Sequence, residues 1–277
     1  GTSNDFEIAR MVWDKIDDSS LGYADWGQTN HVYVYDVDSL NAALLNAPAG
    51  SIIHLKNGVT FSQSGGFEIT RPHLTILLED GTVVQNSSPC FDVNASYTTI
   101  TTESTSGAKC VPTNGANGIN VASGLQNIII QGLDIDGTGQ STGDGINFAG
   151  AITDVQVLDN YVHALGGNGL SFAATPAGVV DIQGNLFKAN TGFGVSAPAD
   201  VAVSYNSWGD YAGPAGTNGD GVAPAITSLA PWTYASSSME YSGSRWPNEV
   251  LPGYNITYTV YADLQSVEGA NVSVTLP

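Results

Sequence analysis

Gly118-Ile119-Asn120-Val121 is the first of four closely similar stretches, and the others are Gly145-Ile146-Asn147-Phe148, Gly169-Leu170-Ser171-Phe172 and Gly194-Val195-Ser196. Within each stretch apolar and polar residues alternate, which is typical of a β-strand that buries one face. The stretches recur at a nearly constant spacing of about 25 residues, and a repeat of that length indicates a solenoid in which each unit packs against its neighbours.

Two further strand patterns follow most copies of this repeat after short turns. The second strand recurs as Ile128-Ile129-Ile130 and Val155-Gln156-Val157, and the third as Leu133-Asp134-Ile135 and Tyr161-Val162-His163. Three short strands per coil predict an all-β fold, a right-handed parallel β-helix with three sides. Glycine and asparagine are expected at its corners because they tolerate positive φ. Asn160, Asn185 and Asn206 fall at equivalent corners, where we expect a ladder in which each side chain bonds the backbone of the next coil.

The first coil of a β-helix needs a cover, because its apolar end would otherwise face water. Residues 38–47 predict a short amphipathic helix in that place, with Asp38 or Ser39 as its N-terminal cap. Its apolar face comprises Leu40, Ala43, Leu44 and Ala47. Pro48-Ala49-Gly50 ends the helix, and the first strand of the solenoid is expected at Ser51-Ile52-Ile53-His54-Leu55.

The stretch from Val37 to Phe61 resembles the entry of secreted pectin-lyase-like β-helix proteins, with a small helix followed by Pro-Ala-Gly-Ser-Ile-Ile-His-Leu and then Asn-Gly-Val-Thr-Phe. Residues 69–76 are similar to the next turn of those proteins. Residues 206–214, continuing to Pro231-Trp232, resemble the closing element of large secreted bacterial and archaeal β-helix proteins. The resemblance covers about residues 36–235 and implies a β-helix of the surface or adhesin type.

The chain is expected to have four parts: residues 1–35 form an N-terminal extension, 36–235 the parallel β-helix, 236–252 a linker and 253–277 a C-terminal β-hairpin. The apolar spacing of the extension fits a helix and a strand equally well. The hairpin resembles the opening of an immunoglobulin-like or cohesin-like sandwich, but such a domain needs about seven strands. We therefore expect it to pack on its own solenoid, on a neighbouring subunit or on a continuation of the chain. The residues expected to take part in assembly are Phe6, Ile8, Val12 and Trp13 in the extension and Tyr254, Ile256, Tyr258, Val260, Val272 and Val274 in the hairpin.

Composition favours an extracellular protein. The net charge of −19 comes from 26 acidic and 7 basic residues, and such a surface repels nucleic acids and anionic membranes. No apolar run approaches the roughly 18 residues that span a membrane. Cys90 and Cys110 are separated by nearly one coil, which favours a disulfide over two buried thiols and thus an oxidising compartment. Asn-X-Ser/Thr sequons predict glycosylation at Asn86, Asn94, Asn255 and Asn271.

The search for catalytic residues identifies none. Glycosidases of the resembled family use Gly-His-Gly and Arg-Ile-Lys motifs, which this sequence lacks. The best acidic group is Asp134, Asp136, Asp144, Asp154 and Asp159. Within it Asp134, Asp136 and Asp159 are the candidate metal ligands, because Asp159 follows Asp134 by about one coil. Three readings apply to it: an acidic solvent face, a Ca²⁺ site, or a pair of carboxylates for glycoside hydrolysis. No cofactor is expected apart from such a Ca²⁺.

Aromatic residues concentrate near the C-terminal end of the repeat. Trp208 and Trp232 are candidates for glycan contact or, as the favoured alternative, for a cap on the last coil. The sequence thus predicts an extracellular structural protein rather than an enzyme, a surface-layer, adhesin or filament subunit that binds copies of itself or other cell-surface components. The alternative is a polysaccharide-active enzyme or a glycan-binding module.

Overall fold

The computed structural model describes residues 30–103, 107–210, 213–215 and 220–230. In chain order its elements are β1 (His31–Val34), α1 (Val37–Asn46), β2 (Ile52–Leu55), β3 (Thr60–Phe61), β4 (Phe67–Ile69), β5 (Thr75–Leu78), β6 (Val83–Asn86), β7 (Phe91–Val93), β8 (Thr98–Thr102), β9 (Lys109–Pro112), β10 (Ile119–Val121), β11 (Leu125–Gln131), β12 (Asp134–Asp136), β13 (Ile146–Phe148), β14 (Ile152–Leu158), β15 (Tyr161–His163), β16 (Leu170–Phe172), β17 (Ala177–Gln183), β18 (Leu186–Lys188) and β19 (Val195–Ser196). A 3-10 turn follows at Gly213–Ala215.

The strands form three parallel sheets, which confirms the predicted three-sided β-helix. Sheet A has the order β1-β2-β5-β8-β11-β14-β17, sheet B β3-β6-β9-β12-β15-β18, and sheet C β4-β7-β10-β13-β16-β19. Each strand, apart from the first and last of each sheet, therefore pairs with the strands one coil earlier and one coil later. In sheet C, Ile119 aligns with Ile146 and Ile146 with Leu170, so that the sequence repeat and the structural register coincide.

The core is a column of apolar side chains that point inward from all three sheets. Like residues stack on like from coil to coil, as in the Phe148 and Phe172 rings, whose centroids lie 4.7 Å apart. The glycine that precedes most sheet C strands is required by close packing, since a Cβ on Gly145 would lie 2.5 Å from the Gly169 carbonyl oxygen. The expectation that corner residues adopt positive φ is confirmed at other positions, among them Gly132 and Gly184, but Gly145 is not one of them.

The predicted asparagine ladder is confirmed. The backbone N–H and Nδ2 of Asn160 donate to Asn185 Oδ1 at 3.0 and 2.9 Å, and the same groups of Asn185 donate to Asn206 Oδ1 at 2.9 Å each. Nδ2 of Asn185 also donates to Val157 O at 2.8 Å. None of the three asparagines has positive φ. They occupy the corner because their side chains satisfy buried backbone groups of adjacent coils.

The N-terminal end of the core is covered by α1, as predicted, but the details differ. The cap is Asp36, whose Oδ1 accepts from the Ser39 N–H at 2.8 Å while Ser39 Oγ accepts from the Asp36 N–H at 3.2 Å. Ser39 is thus the third helical residue of a reciprocal capping box. The solenoid also starts earlier than residue 36, because β1 precedes the helix and pairs with β2.

The C-terminal end is closed by Trp208 and the segment that follows it. Trp208 is fully buried and its ring stacks on Phe187 at 5.4 Å. Asp200 fixes the segment by accepting from the backbone N–H groups of Thr227 and Ser228 at 2.7 and 3.0 Å. Burial inside this end supports the capping alternative, and the prediction of glycan contact by Trp208 is wrong. Trp232, the linker and the hairpin lie outside the described residues.

Candidate functional site

The densest group of charged side chains lies on the outer face of sheet B. Alternate residues of its short strands point outward, and the register aligns Lys109 of β9 with Asp134 of β12 and with Tyr161 of β15. The next outward row aligns Asp136 with His163. We call these five residues the sheet B cluster. Strand alternation and coil stacking together bring them from three successive coils onto one surface.

Hydrogen bonds and ion pairs connect the members of the sheet B cluster. Lys109 Nζ lies 3.0 Å from Asp134 Oδ2 and 3.3 Å from Asp136 Oδ2. His163 Nε2 lies 2.9 Å from Asp134 Oδ1, and the His163 ring stacks on Tyr161 at 4.0 Å. The Asp134 carboxylate thus bridges a lysine of the preceding coil and a histidine of the following coil.

Electrostatics favour the charged forms of Asp136 and Lys109. Burial opposes ionisation of Asp136, but hydrogen bonds from Thr138 and the charges of His163 and Lys109 outweigh it and lower the pKa of this carboxyl. Burial likewise opposes the charge of Lys109, but the charges of Asp134 and Asp136 raise its pKa. A carboxyl with a lowered pKa is a poor general acid and a lysine with a raised pKa a poor general base. The arrangement is chemically suited to joining coils, and its residual capacity is for hydrogen bonding to a polar ligand.

Asp159 does not join Asp134 and Asp136, so that part of the predicted metal site is wrong. Asp134 aligns with Tyr161, and Asp159 occupies the preceding corner with φ of 53°. The coil that separates Asp134 from Tyr161 is longer than the average coil of the repeat. Because of this extra length, Tyr161 and not Asp159 aligns with Asp134. Among the described residues, no group of three His, Cys, Asp or Glu side chains is arranged to hold a metal ion. Asp134 and Asp136 instead share the ammonium group of Lys109.

The cysteines and two of the sequons lie in the described solenoid. Cys90 and Cys110 form a disulfide with their Cα atoms 6.0 Å apart, and both are fully buried. Asn94 is exposed, so its side chain is accessible to modification. Asn86 is buried, its Oδ1 accepts from the Gln63 N–H and its Nδ2 donates to Cys90 O, so the folded chain offers no access to it. The Asn255 and Asn271 sequons lie outside the described residues.

None of the residues predicted to take part in assembly lies in the described part of the chain. They are Phe6, Ile8, Val12, Trp13, Tyr254, Ile256, Tyr258, Val260, Val272 and Val274. Their role stays a prediction. Within the residues that the structure does describe, no helix is long and apolar enough to cross a membrane.

Sequence reasoning missed a second polar group, on the outer face of sheet A. His31 Nδ1 lies 2.7 Å from His54 Nε2, and His54 Nδ1 lies 3.3 Å from Glu79 Oε1. The signal was present, because these residues follow one another by 23 and 25 residues, close to one coil. It went unnoticed because His31 was assigned to the extension and not to the solenoid.

A buried carboxylate near the C-terminal closure was missed as well. Asp220 stands between two glycines, a sequence typical of an exposed turn, yet it is only 5% exposed. It accepts from the backbone N–H of Asn190 at 3.1 Å and from the Asn190 side chain. Burial raises the pKa of Asp220 to about 6, although the bonds from Asn190 and from the Ala189 N–H counteract part of that rise.

Comparison with protein-family models, with curated proteins and with solved structures finds no match for this chain. The fold class is that of a parallel β-solenoid with three sheets. The likeness to pectin-lyase-like proteins rests on the sequence patterns of residues 36–235 alone.

Proposed function

We propose that this chain is an extracellular structural protein, a surface or filament-forming subunit that assembles with copies of itself through its terminal segments. The observation that supports this proposal best is that charged side chains on the outer faces bond groups of adjacent coils. Asp134 bonds Lys109 and His163 of the adjacent coils, and carboxylates elsewhere bond backbone N–H groups one coil away. Examples are Asp80 Oδ1 to the Gly107 N–H and Asp154 Oδ1 to the Val179 N–H, both at 2.8 Å.

Such bonds stiffen the solenoid along its axis. In these contacts the charged side chains of the walls join one coil to the next, which favours a mechanical role. The Cys90–Cys110 disulfide adds a covalent bond between two sides of the core, and disulfides persist in extracellular compartments.

Closure of both ends of the core supports assembly through appended segments. The helix α1 buries Leu40 and Leu44 at one end, and Trp208 fills the other. Capped solenoids do not stack coil on coil with further copies. A contact between copies would therefore use residues 1–29, which precede β1, and residues 253–277, for which strand addition to a neighbour is a suitable mode. Repeated from head to tail, that contact generates an open filament.

The test is light scattering coupled to size-exclusion chromatography of the full chain. We expect concentration-dependent assemblies that dissociate in Ile256→Asp and Val274→Asp, because a charge on the apolar face of a donor strand opposes burial. Leu45→Asp is the matched control, since Leu45 is 62% exposed on α1. A monomer at all concentrations would contradict the proposal, as would equal assembly of the wild type and both strand variants.

A second candidate function is glycan binding or cleavage at the sheet B cluster. It is favoured by one observation, the partly exposed carboxylate of Asp134 beside the stacked rings of Tyr161 and His163. A screen on neutral glycans would detect it. Asp134→Ala should abolish any activity or binding, whereas Asp159→Ala should leave it unchanged because Asp159 lies off the cluster.

A further inference from the structure

Three polar side chains from successive coils form a hydrogen-bonded chain at the N-terminal end of sheet A. His31 of β1 bonds His54 of β2 at 2.7 Å, and His54 bonds Glu79, which follows β5, at 3.3 Å. The Tyr33 ring stacks on His54 at 4.3 Å, and Glu79 Oε2 accepts from the Asn57 N–H at 3.1 Å. We call His31, His54 and Glu79 the sheet A triad.

The bonds of the triad limit how many protons it can hold. Glu79 is an acceptor when ionised, so His54 Nδ1 carries a proton, and in neutral His54 the Nε2 atom accepts from His31 Nδ1. One added proton preserves the chain, because a charged His54 can donate from both nitrogens while neutral His31 accepts. A second added proton leaves N–H groups on both facing nitrogens, 2.7 Å apart. The contact between β1 and β2 side chains is then repulsive.

The surroundings favour loss of the second proton. His54 is 8% exposed, so water screens the repulsion between two imidazolium rings poorly. Lys56, which lies 5.2 Å from the Tyr35 ring, adds positive charge on the same side. The carboxylate next to the two histidines is that of Glu79, which bonds His54 directly. The helix that packs against β1 contributes Asp38 in its first turn, while Asp36 bonds Ser39.

The direction of the pH dependence follows from these contacts. Burial, and then the charge of His54, lower the pKa of His31. Burial opposes ionisation of Glu79, but the bonds from His54 and Asn57 and the charges of His54 and Lys56 lower its pKa, so Glu79 stays ionised when His31 gains a proton. A histidine whose pKa is lower in the folded state binds protons preferentially when released. The contact is therefore intact above a pH of about 6.5 and weakens as the pH falls below it.

We propose that the sheet A triad makes β1 an acid-released strand, which detaches from the solenoid when both histidines are protonated. Within the described residues β1 is the terminal strand of sheet A and pairs with β2 over four residues. Its release leaves the pairing of β2 with β5 in place, since terminal strands can open without the rest of a solenoid. Because β1 joins residues 1–29 to the solenoid, acidification would free the N-terminal segment. This inference stands on the triad and is independent of the assembly proposed above.

Hydrogen exchange measured by mass spectrometry on the full chain tests the proposal. Rates at pH 7.5 and pH 5.0 are corrected for intrinsic exchange. We expect protection of residues 31–34 to fall by about tenfold or more at pH 5.0, while β13 keeps its protection. His31→Gln should abolish that difference, because a neutral amide can still donate to His54. His73→Gln, which removes a histidine stacked on Tyr97 in another coil, should retain it.

Protection of residues 31–34 that does not depend on pH in the wild type would overturn the proposal, as would an equal pH dependence in His31→Gln. If His31→Gln loses protection at both pH values, NMR titration of the wild-type imidazoles decides. Two well-separated titration steps, with the lower one well below the ordinary pKa of histidine, support the shared-proton chain, and two coincident steps near the ordinary value contradict it.

Discussion

The asparagine ladder makes the most quantitative prediction. Replacing Asn185 with alanine removes the acceptor of the Asn160 N–H and a donor to Val157 O, both inside the solenoid wall. A buried polar group that loses its partner costs about 1–3 kcal/mol, so two such groups cost about 4 kcal/mol. For a domain of this size each kcal/mol lowers the midpoint of thermal unfolding by about 2–4 °C, which gives a decrease of about 8–16 °C.

The matched control for this substitution is Asn147→Ala. Asn147 lies on the outer face of sheet C, half-buried, and its Nδ2 donates to Asn120 Oδ1 at 2.7 Å. Water can replace that bond, so the cost should be about 0.5–1.5 kcal/mol. Thermal unfolding followed by circular dichroism measures both variants. Equal destabilisation by Asn185→Ala and Asn147→Ala would refute the conclusion that the ladder satisfies buried backbone groups.

Three further predictions concern the closure, the disulfide and the glycine repeat. Burial raises the pKa of Asp220 from 3.8 to about 6, so its ionisation costs up to about 3 kcal/mol of folding free energy above pH 6 and nothing below about pH 4. Asp220→Asn should therefore raise the thermal unfolding midpoint at pH 8 but not at pH 3.5. An equal effect at both pH values would contradict the raised pKa. Replacing Cys90 and Cys110 together with alanine should cost about 3 kcal/mol of unfolding free energy in denaturant titrations, and no change would show that the disulfide is not formed. Gly145→Ala should lower the unfolding midpoint far more than Gly65→Ala, since a Cβ meets nothing within 4 Å at Gly65, and similar effects would contradict the close packing of coils.

The fold was largely predictable because the coils of a solenoid repeat the same residue pattern at a regular spacing in the sequence. Most strands of sheet C bury their first and last residues and turn the middle one outward. Most are also preceded by a glycine whose space the next coil occupies, so the period is visible without alignment. The asparagine ladder was predictable for the same reason. A side chain that bonds the same group in every coil must recur at the same interval.

The predictions differed from the structure where coil length departs from the average or where a segment lies outside the regular repeat. The coil between Asp134 and Tyr161 is longer than the average coil, and for that reason Asp159 lies at a corner instead of beside Asp134. The strand β1 has the alternating sequence His-Val-Tyr-Val, but its place before the capping helix separated it from the repeat. The burial of Trp208 and Asp220 depends on how the last coil closes, and that closure has no repeat from which it could be inferred.

The contacts of the charged side chains on the outer face of sheet B were also not predictable from the sequence. Their positions follow from strand alternation, but the pairing of Asp134 with both Lys109 and His163 depends on a register that only the structure supplies. From the sequence, Asp134 and Asp136 could belong to an acidic solvent face, a Ca²⁺ site or a catalytic pair. Lys109 Nζ lies 3.0 and 3.3 Å from their carboxylates, so in the structure they join adjacent coils instead.

Electron microscopy of the full chain at neutral pH can decide whether this solenoid is the subunit of a larger assembly. We expect linear assemblies in which closed β-helices are joined through their terminal segments. Single compact particles at all concentrations, with residues 1–29 and 253–277 folded onto their own solenoid, would contradict this proposal.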